Sequence, residues 1–174
     1  QYVYNGDYGS NKVKFGAYYG GSSKRNIKNQ DLTNKRKNTW GTGLIFNHEI
    51  DSIQNVTVAA GFTREISENA NETAYYSNAY ALGLAYNFVH TTYGLDFAHK
   101  DTKNKDGAGN KVKNNEVTAV IRQGLNEDWN VYAMYSYKTE KTLPVGSAYS
   151  KSTDRQFLVG TEYYVYNQGS LKVK

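Results

Sequence analysis

Residues 79–101 read AYALGLAYNFVHTTYGLDFAHKD, and their parity decides the fold class. Tyr80, Leu82, Leu84, Tyr86 and Phe88 fall on one parity, while Ala79, Ala81, Gly83, Ala85 and Asn87 fall on the other. Successive Cβ atoms of an extended chain point to opposite faces, so a period of two means a β-strand. After Val89, His90 and Thr91, which read as a turn, the alternation resumes with Tyr93, Leu95 and Phe97 against Thr92, Gly94, Asp96 and Ala98. In a soluble sandwich the large side chains meet a core, and the other face carries Lys, Glu, Thr and Arg toward water. Here the second face is mostly Ala and Gly with an occasional charge. Such a strand suits large side chains set against an apolar medium, protein or lipid, and small ones lining a confined, wet space.

The same alternation recurs along the chain. It predicts strands near 1–5, 12–20, 38–48, 55–65, 75–88, 92–101, 113–124, 130–140, 155–166 and 171–174, and no helix. Val13, Phe15, Ala17 and Tyr19 alternate with Lys12, Lys14, Gly16 and Tyr18; Val56, Val58, Ala60 and Phe62 alternate with Thr57, Ala59, Gly61 and Thr63. In the third strand Trp40, Leu44 and Phe46 oppose Gly41, Gly43 and Asn47, with Ile45 as an exception.

Composition narrows the medium. The chain has 174 residues with 17 Tyr, 6 Phe, 2 Trp, 1 Pro and no Cys. One domain is expected at this length. No run is apolar for long enough to cross a membrane as a helix, but a membrane strand needs only about 9–11 residues with half of them apolar. The tyrosine excess matches interfacial aromatic girdles, where the ring is apolar and the hydroxyl stays wet. The absence of Cys excludes disulfide-stapled modules and thiolate metal sites. Net charge is +5, concentrated between Gly20 and Asn38 in Lys24, Arg25, Lys28, Lys35, Arg36 and Lys37 against Asp31. With no aromatic interleaved for base stacking, this run reads as a solvated loop, and no nucleic-acid partner is expected.

Connections alternate in length. Short turns sit at GDYGSN, EIDSIQ, VHT, LNEDW and NQGS, and between them long polar segments begin near Gly20, Ile66, Thr102 and Lys141. Outer-membrane barrels carry tight turns at one rim and extended loops at the other. The expected fold is therefore an all-β, antiparallel, up-and-down transmembrane β-barrel with about ten strands in this chain. With short turns on the periplasmic side, both chain ends fall at the opposite rim, which predicts an internal stretch of a barrel of roughly 12 to 18 strands.

Two stretches carry a family resemblance. LNEDWNVYAMYSYKTEKTL, followed after a polar loop by DRQFLVGTEYYVYNQGSLKV, resembles the C-terminal half of Gram-negative general porins, in which a short turn leads into a Tyr-Ala-x-Tyr-x-Tyr strand, a long loop and a Val-Gly strand. The hairpin at 79–101 is similar to the preceding hairpin type. The resemblance covers most of the chain as pattern and implies a roughly 16-stranded homotrimeric channel in the outer membrane, bathed in lipid and passing ions and small hydrophilic solutes. The Pro-Glu-Phe-Gly-Gly motif of the family's inward-folded third loop is absent, and only Pro144 marks a comparable bend. A smaller oligosaccharide channel therefore stays open, as does a soluble lipocalin-like or calycin-like binding barrel with its large face turned inward.

Catalysis is not expected. His48, His90 and His99 are the only imidazoles; His48 and His99 share the large-residue parity, and neither His48 nor His90, which could share a rim, has a positioned nucleophile nearby in sequence. In DTKNKDGAGN, Thr102 stands where a calcium loop needs its first acid and Lys113 replaces the bidentate Glu. GTG at 41–43 lacks the helix a phosphate loop opens. No metal or cofactor is expected. The chemistry lies in the inward parity: Lys12, Lys14, Lys100, Arg122 and Lys138 share it with Asp96, Glu116, Glu140 and Glu162, a charged wall that lines a pore or ties neighbouring strands by ion pairs. Five bases against four acids, with the basic loop at one mouth, predict a weak anion preference.

Overall fold

A computed structural model describes the chain except residues 22, 25–34, 69–73, 105–109, 145, 147 and 164–174. Its elements are β1 (Tyr2–Tyr8), β2 (Asn11–Gly20), β3 (Ser23–Lys24), β4 (Lys35–Asp51), β5 (Gln54–Glu68), β6 (Ala74–Phe88), β7 (Thr91–Asn104), β8 (Lys111–Gly124), β9 (Trp129–Leu143) and β10 (Ser150–Tyr163). Each long strand pairs antiparallel with the next, giving the up-and-down order β1-β2-β4-β5-β6-β7-β8-β9-β10, and the short β3 pairs with the start of β4. All-β class and meander order follow the sequence expectation.

Register turns the parity pattern into two continuous faces. Phe15 pairs with Leu44, Leu44 with Ala60, Ala60 with Leu82, Leu82 with Phe97, Phe97 with Val117, Val117 with Tyr137. One row down, Val58, Leu84, Leu95, Ala119, Tyr135 and Phe157 are partners in turn. A slip of one residue anywhere would break this belt, which is why the apolar pattern fixes the register. Aromatic rows border it. At the long-connection end Trp40 packs on Phe62 at 5.0 Å, Phe62 on Tyr80 at 4.9 Å, and Tyr80 on His99 at 6.1 Å. At the short-turn end Tyr86 stacks on Tyr93 at 6.4 Å and Trp129 meets Tyr163 at 4.7 Å.

The tight turns are stitched to one another. Glu49 donates its N–H to the Ser10 carbonyl, Val89 to Ile53, and Gly124 to His90, at 2.8, 2.8 and 2.7 Å. Gly9 supplies the left-handed backbone of the first turn, at φ 68°, but Val89 holds φ 53° in the third. A β-branched residue is strained there. Val89→Asn keeps the N–H that Ile53 needs and tolerates the conformation, so it should gain up to about 1 kcal/mol in urea unfolding of the full-length protein.

No hydrophobic side chain among the described residues is buried. The face with the large residues is open, with Leu82, Leu84 and Leu95 53%, 47% and 50% exposed; on the face opposite, Gly83, Ala85, Asn87, Thr92 and Gly94 are half-buried toward the tight turns, and Ala81, Asp96 and Ala98 are exposed. This inverts a soluble sheet, and it follows from curvature. Small side chains let the sheet curl toward their own face; on that face Tyr18 lies so close over Gly41 that a Cβ there would stand 2.7 Å from its ring.

Several sequence expectations need correction. β1 continues to Tyr8 and β10 begins at Ser150, because the turn needs only Gly9 and Ser10 and because alternation persists through polar strand ends. β4 runs from Lys35 to Asp51, well beyond 38–48. The connections 69–73, 105–110 and 144–149 are shorter than expected because the strands extend into them, but each exceeds the tight turns, and the stretch between β2 and β4 exceeds them all. The expected strand at 171–174 lies outside the described residues. Among the described residues the sheet is open, with β1 pairing only with β2 and β10 only with β9. The fold is one curled up-and-down sheet.

Candidate functional site

The concave face is a trough. One hollow of about 620 Å³ is lined by residues of β1, β2, β4, β5, β6 and β7, including Val3, Lys14, Ile45, Ala59 and Asp96. A second, of about 530 Å³, shares Gly61, Ala81 and Ala98 with it and reaches Lys100, Glu116 and Lys138 on β7, β8 and β9. Strands stand about 4.8 Å apart, so a flat sheet would separate β1 from β7 by about 24 Å; only curling brings Val3 and Asp96 to one hollow.

All nine charged residues expected on the inward parity lie on this face. Lys12 and Lys14 pair with Asn47 and Ile45, Asp96 with Gly83, Lys100 with Ala79, Glu116 with Lys138, and Glu140 with Asn114. Lys14 and Asp96 line the first hollow and Lys100, Glu116 and Lys138 the second. Gly83 makes room for Asp96, whose Oδ1 would stand 2.6 Å from a Cβ at that position. Arg122 on β8 reaches over β9 to Glu162 on β10, Nη2 to Oε2 2.8 Å. That is a bridge across a strand, and concavity shortens it. Ser136 donates to Glu116 Oε1 at 3.2 Å. Glu140 sits on the same face at the long-connection end, where the second hollow stops short of it.

Register adds residues that parity counting left out. Glu49 carries the carboxylate that binds Lys12, Nζ to Oε1 2.7 Å. Asp7 opposes Lys12 on β1, Glu65 opposes Ser77, and Asp154 opposes Lys138 on β10. The trough also holds a carboxamide row just inside the tight turns. Asn47 Nδ2 donates to Thr57 Oγ1 at 2.8 Å, Asn87 Nδ2 to Asn55 Oδ1 at 2.7 Å, and Thr92 Oγ1 to Asn87 Oδ1 at 2.7 Å. Its signal was present in the sequence as Asn55 and Asn87 at the small parity beside the second and third turns.

His48 lines neither hollow, while His99 is among the residues around the second. His48 and His99 lie on the large-residue face at opposite ends of the sheet, where Nδ1 of each meets an asparagine Oδ1, Asn11 at 2.9 Å and Asn115 at 2.7 Å. Among the described residues no cluster of His, Asp and Glu is arranged to hold a metal. The calcium-like stretch and the basic segment between Gly20 and Asn38 lie largely outside the described residues. What the trough offers chemically is fixed charge of both signs and rows of hydrogen-bonding groups over a floor of Ala and Gly, a surface for passing or holding polar solutes. Comparison with protein-family models, with curated proteins and with solved structures finds no match to this chain.

Proposed function

We infer that this sheet is part of a transmembrane β-barrel of the outer membrane whose lumen is the charged trough: a passive, water-filled channel for ions and small hydrophilic solutes. The observation that carries the reading is the inversion of faces, an unburied apolar belt on the convex side and charge on the concave side. Lipid is the partner that makes such a belt favourable, at roughly 25 cal/mol for each Å² removed from water. The belt has the right height, since Tyr80 through Phe88 is nine residues, within the roughly 9–11 that a tilted strand needs to cross. The aromatic rows stand where membrane interfaces place Tyr and Trp.

The open edges at β1 and β10 are where a closed barrel takes its further strands, and a homotrimer accords with the porin resemblance. A soluble calycin-like barrel would need the large residues on the concave side, opposite to the curl described. An oligosaccharide channel is the nearest second reading, favoured by the carboxamide row. The full-length protein should require detergent to stay monodisperse and should give stepwise conductance in planar bilayers. A folded, monodisperse protein in plain buffer would overturn the membrane reading; insertion without conductance would overturn the channel.

A further inference from the structure

Charge on the convex face is distributed unevenly. At the tight-turn end that face carries His48, Gln54, Thr91, Gln123 and Trp129, and no Lys or Arg stands among its described strand residues there. At the other end, β8, β9 and β10 place Lys113 opposite Lys141, and Lys141 opposite Lys151, three like charges in direct cross-strand register. They sit four residues beyond the belt's last rings, as Tyr137 and Lys141 show along β9. Like charges facing one another across strands are destabilising unless something supplies the counter-charge. The sheet supplies little. Asp101 opposes Lys113, but its Oδ2 lies 3.4 Å from Lys111 Nζ, and the neighbouring Glu140 and Asp154 point to the concave face. Arg155 is the cross-strand partner of Tyr137 and lies over its ring at 5.7 Å, a fourth cation level with the belt's edge on β10.

Resting on the membrane reading above, we propose that Lys113, Lys141 and Lys151, with Arg155, form a binding site for the phosphate groups of lipid headgroups in the leaflet at the long-connection rim. Geometry supplies the reason for a lipid. An amphiphile whose acyl chains cover Tyr135, Phe157 and Val159 carries its phosphate a few residues farther along the same strands, at the level of the lysine row. Flexible lysine stems reach that level while their methylenes stay against the belt. Polybasic surfaces attract anionic headgroups through additive, salt-screened attraction.

The test uses the full-length protein in nonionic detergent, titrated with phosphatidic acid or with phosphatidylcholine of the same chains, bound lipid being counted by native mass spectrometry. Phosphatidic acid should bind in clear preference, and Lys113→Gln/Lys141→Gln/Lys151→Gln should weaken it roughly tenfold or more. A triple neutralisation on the concave face, Lys14→Gln/Lys100→Gln/Lys138→Gln, removes the same net charge and should leave binding unchanged. Equal weakening by both triples, equal retention of the two lipids, or displacement of bound phosphatidic acid by inorganic phosphate would overturn the site. These failures are distinct from failure of the membrane reading, which a protein soluble without detergent would signal. Should the convex triple not fold, Lys141→Glu alone serves, with loss of preference for phosphatidic acid expected and full retention overturning the site.

Discussion

Leu84→Arg should block assembly of the full-length protein into vesicles, while Ala85→Arg, one residue along, should leave assembly nearly intact. The two positions differ only in face. Leu84 lies at mid-belt between Val58 and Leu95, 47% exposed on the convex side. On the membrane reading, an arginine there would place a full charge against hydrocarbon, which costs roughly 2–4 kcal/mol near the bilayer midplane. Domains have only about 5–15 kcal/mol of stability to lose, so this is a large share. Ala85 lies between Thr57 and Gly94 on the concave side, where an added guanidinium points into the trough. Folding yield in vesicles, read by protection from protease and by circular dichroism, separates the pair. On the channel reading, conductance should change for Ala85→Arg, since the new charge would enter the solute path. A damaging Ala85→Arg beside a harmless Leu84→Arg would mean that the faces are inverted, and no difference between them would remove lipid from the account.

That contrast depends on information readable in the sequence. Period two in 79–101 placed Leu84 and Ala85 on opposite faces, and the register keeps them there. Tight turns were legible too, because Gly9, Asp51 with Ser52, and Asn126 sit where local turn chemistry favours reversal. Strand ends were not. Polar residues continue the alternation beyond the belt, so Asp7 and Asp154 read as turn or loop although each is paired in the sheet. Ion partners were also illegible, since Glu162 is 40 residues from the Arg122 it meets across β9. Curvature belongs to the whole sheet, and no single strand encodes it. The lysine row is similar: Lys113, Lys141 and Lys151 acquire meaning only once β8, β9 and β10 are in register.

Register also changes the expected selectivity. The inward parity alone predicted a slight excess of positive charge, with Lys12, Lys14, Lys100, Arg122 and Lys138 against Asp96, Glu116, Glu140 and Glu162. The paired sheet adds Asp7, Glu49, Glu65 and Asp154 to the same face. Two close pairs, Lys12 with Glu49 and Arg122 with Glu162, largely cancel their own fields. With Glu65 set aside as well, Lys14, Lys100 and Lys138 face Asp7, Asp96, Glu116, Glu140 and Asp154. Among the residues whose side chains are described the wall is acidic, so on the channel reading the full-length protein should prefer cations. A wall potential of about one kT enriches one ion and depletes the other, which gives a K⁺ to Cl⁻ permeability ratio of roughly seven at low salt. The ratio should fall toward one as the Debye length shrinks from about 10 Å at 0.1 M to about 3 Å at 1 M. Reversal potentials in planar bilayers under a KCl gradient, at low and high mean salt, measure this directly. Asp96→Asn/Glu116→Gln removes one carboxylate from each hollow and should lower the ratio markedly while leaving the single-channel step of similar size. An anion preference at low salt would overturn the acidic-wall account and assign control to the basic segment between Gly20 and Asn38, whose positive charge would then dominate the mouth.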